Sequence, residues 1–169
     1  VVKKGLRKLA SLAKTPSQAI ILMTAIALIC CWISWGFGLI TSALMAREIA
    51  KQVKGVHYPL LVASAYSGML IWHSGLSGSI PLKIAVSDGD VLGTLMNGVT
   101  IPLSETIFSW EVITICLVLL ITLPIINRLM MPEPQDTIEI HPDQSGEVEE
   151  IPIQTNTPAS WIENHRTES

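Results

Sequence analysis

The chain has 169 residues, 49% hydrophobic and 15% charged, with a net charge of −3. Soluble domains usually carry about 25% charged residues, so this composition is low for one. It also does not fit a nucleic-acid binder, because the basic residues flank apolar runs, where membrane orientation accounts for them.

The charges are segregated: residues 1–14 carry five basic groups and no acid, while residues 132–169 carry nine acids and one arginine. In 1–14, Leu6, Leu9, Ala10, Leu12 and Ala13 are interleaved with the basic groups. The segment reads as a short amphipathic helix on the cytoplasmic membrane surface or as a basic connecting loop. Either lies inside by the positive-inside rule. Thr15-Pro16-Ser17 then supplies cap chemistry for a new helix.

Residues 15–46 hold no formal charge but break at Trp35-Gly36-Phe37-Gly38. The two arms, 19–34 and 39–50, would form about 18 to 24 Å of helix, short of a hydrocarbon core of about 30 Å. A single crossing would put Arg47, Lys51 and Lys54 outside while the 1–14 cluster stays inside. A re-entrant hairpin over 15–50, with its tip at 36–38, leaves both clusters inside. We expect the hairpin rather than one long crossing helix.

Residues 56–82 again contain no Asp, Glu, Lys or Arg. The expected element is a helix over 56–86 that crosses outward and breaks at 73–79. Gly75 and Gly78 each cost roughly 1 kcal/mol against Ala in a helix. Backbone groups freed at membrane depth need protein, water or a ligand as partners. Ser87-Asp88-Gly89-Asp90 reads as a turn in an outer loop over 87–105 that also contains Asn97-Gly98. A helix over 106–128 crosses back, with Trp110 at the outer interface, Glu111 near its N-terminus and Pro124 as a candidate kink. Its charge-free core is 112–126. Together 15–131 form the membrane domain. Residues 132–156 read as a disordered or extended acidic linker, and a new helix is expected from Pro158. Because the chain opens on Val1 and stops early in that helix, it reads as an internal piece of a longer protein.

Chemistry is sparse. There is no nucleophile–base pair, phosphate loop or zinc signature, and Cys30, Cys31 and Cys116 lack metal or redox spacing. Two candidate binding elements remain: the hairpin tip, with Ser34, Trp35, Gly36, Phe37 and Gly38, and the helix break, with His73, Ser74, Gly75, Ser77, Gly78 and Ser79. Each would expose backbone N–H groups at a helix start, where anions bind. Serine hydroxyls add donors, and Trp35, Phe37, Met69 and Trp72 could wall an apolar pocket. Such a site suits a small carboxylate with a hydrocarbon tail. Glycine and serine equally mark tight helix packing, and both readings stay open. His73 reads as a mid-membrane titratable group or as a histidine bonded to backbone at the break.

The segments WGFGLI from Trp35, AREIAKQVKG from Ala46, YPLLVASAYSG from Tyr58, GLSGSIPL from Gly75 and ETIFS from Glu105 resemble the bacterial short-chain fatty acid transporter family. That resemblance spans nearly the whole chain. It implies a permease for acids such as butyrate and acetoacetate in the bacterial inner membrane, multi-pass, and not an enzyme. More distantly, the pattern resembles ion transporters built from two inverted repeats, each a re-entrant hairpin followed by a discontinuous helix. The chain would then be one such repeat, with its partner repeat elsewhere in the same protein. Two residues depart from that pattern: Ser34 stands where such sequences often carry Asn, and His73 where a small residue is expected.

The fold class expected is therefore all-α integral membrane: a re-entrant hairpin, one discontinuous transmembrane helix and one further transmembrane helix. The expected function is secondary transport of short-chain carboxylates, with no cofactor beyond a coupling proton or sodium ion. The expected partners are the substrate, the bilayer, the second repeat and a candidate homo-oligomer, with no nucleic acid. The alternatives are a dicarboxylate or other organic-anion permease, and a membrane anchor that transports nothing.

Overall fold

The computed structural model describes residues 2–86 and 97–140, with side chains described from residue 5 onward. The described residues contain helices and turns and no strand. They form α1 (Val2–Ala10), α2 (Pro16–Ile33), α3 (Trp35–Gln52), α4 (Tyr58–Tyr66), a 3₁₀ helix (Ser67–Ser74), α5 (Ser79–Ile84) and α6 (Trp110–Leu129). Short 3₁₀ turns occupy Leu103–Glu105 and Pro134–Asp136.

The start of α2 is fixed locally. Thr15 is its N-cap, and the Thr15 hydroxyl accepts from the Gln18 N–H at 3.3 Å. The Gln18 side chain reaches back to accept from the Lys14 N–H at 3.0 Å, a variant of the reciprocal capping box. Pro16 sits in the first turn, where its missing N–H costs nothing. The 18 residues of α2 make it about 27 Å long, longer than the arm expected from sequence. With α6, it is one of two described helices long and apolar enough to cross a membrane by length and composition.

No single helix runs through the first apolar stretch. The interruption is one residue, Ser34, extended at φ −156°, ψ 121°. Ser34 closes α2 by donating its N–H to the Cys30 carbonyl at 2.9 Å, and opens α3 by accepting from the Gly38 N–H at 2.8 Å. The break therefore falls before the expected tip, and Trp35-Gly36-Phe37-Gly38 forms the first turn of α3. Gly38 is there for packing. A Cβ on it would collide with the Cys31 side chain and backbone, so its lack of a side chain lets α3 lie directly on α2.

The second interruption also differs from expectation. α4 gives way to 3₁₀ helix at Ser67, six residues before the expected break at 73. The tighter winding runs to Ser74, and Gly75 to Gly78 turn the chain into the short α5. Gly68 lies against the backbone of Ala27, leaving no room for a side chain. After the segment 87–96, which lies outside the described residues together with the expected Ser87–Asp90 turn, Asn97 and Gly98 both have left-handed φ values of 54° and 75°. That is the conformation glycine and asparagine tolerate best. Ile101 then donates its N–H to the Ile84 carbonyl at 3.0 Å, tying the loop to α5.

The main core joins α1, the first part of α2, the last part of α3 and the first part of α4. It includes Leu6, Ala10, Ile20, Met23, Met45, Ile49 and Leu61. Leu6 and Ala10 are buried there, so α1 docks on protein through one face, while Leu9 and Leu12 stay exposed. Arg7 Nε meets Glu48 Oε2 at 3.3 Å across the α1–α3 contact.

The start of the acidic segment is ordered against the α3–α4 turn. Tyr58 donates its N–H to the Ile138 carbonyl at 2.8 Å, and Ile138 donates its N–H to His57 Nδ1 at 3.1 Å. Gly55, with φ +75°, donates its N–H to Glu139 Oε1 at 2.7 Å. Of the two forms expected for the linker, disordered or extended, residues 132–140 are irregular chain with one 3₁₀ turn, held in place because these backbone groups find partners. The remainder of that segment and the helix expected from Pro158 lie outside the described residues.

Candidate functional site

The two interruptions touch. Ser34 makes no side-chain cap for α3; the Trp35 N–H instead donates to Ser77 Oγ at 3.1 Å. Ser77 belongs to the helix break, so the cap of one element comes from the other. In return, Leu76 donates its N–H to the Trp32 carbonyl at the end of α2, at 2.8 Å. These two bonds satisfy groups that both helix ends would otherwise leave without partners. Gly75 makes the approach achievable: a Cβ there would run into the Trp32 carbonyl oxygen.

Around this junction the rings of Trp35 and Trp72 meet edge-on, with centroids 6.0 Å apart. The His73 ring lies against Trp72 at 3.6 Å. His73 is exposed, and its carbonyl lies where a Cβ on Gly78 would go. Ser74 is half-buried. Ser79 is exposed at the start of α5.

The glycines now separate by role. Gly38, Gly75 and Gly78 are buried and closely packed, whereas Gly36 has nothing within 4 Å of where a Cβ would sit. Gly36 and Phe37 therefore present the open first turn of α3, an 18-residue helix. Its N-terminus carries roughly half a positive charge. No charged side chain occurs in 34–38 or 72–79 apart from the titratable His73. The Ser77 hydroxyl, which accepts from Trp35, keeps its own proton to donate.

A cavity of about 200 Å³ adjoins the junction, lined by Ile29, Trp32, Ile71, Ile113, Cys116 and Leu117 among others. Its walls come from α2, the 3₁₀ helix and α6, not from the expected Trp35, Phe37, Met69 and Trp72. Trp35 and Phe37 are exposed at 44% and 56%.

One polar group near the broken helix went unnoticed in the sequence. The Asn127 amide donates to Thr24 Oγ1 at 3.0 Å and to Ser67 Oγ at 3.2 Å. It joins α6, α2 and the point where α4 becomes 3₁₀. The available signal was a lone amide one residue beyond the charge-free core of α6. Among the described residues, no group of three His, Cys, Asp or Glu side chains is placed to hold a metal ion.

Comparison with known proteins agrees along the whole chain. The family model described as short chain fatty acid transporter matches residues 1–167. A protein of Escherichia coli (strain K12) named "Putative short-chain fatty acid transporter" is 41% identical over 167 residues, covering 99% of this chain and 37% of that protein. A protein of the same name from Haemophilus influenzae is 42% identical over 146 residues, covering 83% of this chain and 32% of that protein. The chain thus spans about a third of the length of these relatives. No solved structure gives a significant match.

Proposed function

The chain belongs to the short chain fatty acid transporter family, and from that membership we propose that it is the part of a secondary transporter that grips the carboxylate of a short-chain fatty acid. The whole protein would carry acids such as butyrate and acetoacetate across the bacterial inner membrane by alternating access, coupled to a proton or a sodium ion. α2 and α3 would form the re-entrant hairpin, α4 to α5 the discontinuous helix, and a second repeat elsewhere in the protein would complete the site.

The observation that carries this reading is the Trp35–Ser77 bond, because it brings both interruptions to one place. A carboxylate there would accept from the Gly36 and Phe37 N–H groups and from the Ser77 hydroxyl. These are fixed donors aimed from a helix start. The apolar cavity beside Trp32 and Ile71 would take the hydrocarbon tail. No charged partner is needed, which suits a site that must also release its ligand.

The packed glycines favour a second reading, a membrane anchor in which these residues serve assembly alone. Uptake of labelled butyrate by the full-length protein separates the readings. Under the transport reading, Gly36→Ala lowers uptake at least tenfold while the protein inserts and assembles normally. Excess unlabelled butyrate competes and succinate does not. Competition by succinate would favour a dicarboxylate permease. Unchanged uptake in Gly36→Ala would remove the carboxylate site.

A further inference from the structure

A second groove, about 240 Å³, runs between α3 and α4. The chain direction orders its contents. Arg47 and Tyr58 stand at the end beside the α3–α4 turn, and Leu39 and Tyr66 at the other. The eight residues from Arg47 to Leu39 cover about 12 Å of helix. Small side chains, Ser42, Ala46 and Ala65, cut the floor.

Two polar features of this groove lack partners. Ser42 is 1% exposed, and its hydroxyl has no hydrogen bond. Buried hydroxyls are normally bonded, and a helical serine can turn to the carbonyl four residues back; Ser42 does not. Arg47 is exposed and makes no hydrogen bond or ion pair among the described residues, whereas its neighbour Glu48 is paired with Arg7. The groove thus has a cation and a phenol at its mouth, a hydroxyl buried under its floor about five residues deeper, and then apolar walls.

That order matches the polarity of a glycerophospholipid. We infer that the groove binds one anionic phospholipid. The phosphate sits at the Arg47 guanidinium and the Tyr58 hydroxyl, a pairing guanidinium favours. When lipid binds, the Ser42 side chain turns its hydroxyl out of the floor to donate to an ester carbonyl. An acyl chain lies along Leu39, Val62 and Tyr66. The proposal needs the chain to be in a bilayer, with the Arg47 end at the anionic cytoplasmic leaflet. It does not depend on which acid is transported.

The test is native mass spectrometry of the full-length protein in mild detergent, titrated with phosphatidylglycerol or phosphatidylcholine. The wild type should retain phosphatidylglycerol at least tenfold more tightly. Arg47→Gln should abolish that preference. Ser42→Ala should weaken both lipids alike, since both carry the ester. Ala43→Phe, an exposed groove position, should fill the space and reduce both. Melting curves without lipid show that each variant is folded. Equal phosphatidylglycerol retention by the wild type, Arg47→Gln and Ala43→Phe would overturn the proposal. So would a photoreactive residue at position 43 that captures another part of the polypeptide, or a second copy, in place of lipid.

Discussion

Gly36 and Gly75 share a residue type and have opposite surroundings. Gly75 is pressed against the Trp32 carbonyl, while Gly36 faces open space. Gly75→Ala must therefore push the helix break off α2, and we expect the full-length protein to lose folded yield, read by size-exclusion profile after extraction. Gly36→Ala should give a wild-type profile. Asn127 is the other residue whose weight was not legible. Replacing it with Leu leaves its Thr24 and Ser67 contacts unmade in the interior. Interhelical bonds of this kind average somewhat under about 1 kcal/mol in membrane proteins, with an upper range near 1.7. Asn127→Leu should therefore lower the thermal midpoint measurably without unfolding the protein. An unchanged midpoint would show that the amide does not bind the three elements together.

At the level of elements, the sequence showed that interruptions exist better than where they fall. A glycine pair in an apolar run signals either a break or a close approach, and the two look alike in one dimension. At Trp35-Gly36-Phe37-Gly38 the close approach won: Gly38 lies on Cys31 inside a helix, and the bend fell on Ser34. At Gly75 and Gly78 both roles coincide, so the turn was found. The early switch to 3₁₀ at Ser67 depends on Gly68 meeting Ala27, a contact between distant residues that no local pattern encodes. α2 was legible because length, apolar content and its Thr15 cap agree. α6 was legible as an apolar helix, but it starts at Trp110, four residues after the expected 106, because Ser109 caps it by accepting from the Val112 N–H. The contacts of residues 132–140 were not legible, since their partners are backbone groups of Gly55 and Tyr58 and the ring of His57. His57→Phe removes the acceptor for the Ile138 N–H. Amide exchange across 132–140 should then quicken, while exchange in α2 stays unchanged. Identical exchange would mean that the other two bonds hold the segment unaided.

On the scale of the molecule, burial is uneven. The end holding α1 and the α3–α4 turn has a closed core, whereas α6 leaves Ile115, Val118, Ile121, Ile125 and Leu129 exposed. An apolar helix face of this kind belongs against lipid or further protein. The candidate site lies at the other end, where the elements meet through backbone bonds. The central claim is that the first turn of α3 and the break at Ser77 hold a carboxylate together. Its most direct test is substrate protection of Phe37→Cys, exposed in that same first turn, from maleimide, in transport-active full-length protein with Cys30, Cys31 and Cys116 replaced by Ala. Butyrate should slow labelling at position 37 at concentrations that saturate uptake, and leave an exposed control at Leu12→Cys unaffected. Labelling at position 37 that ignores butyrate while uptake persists would contradict the account.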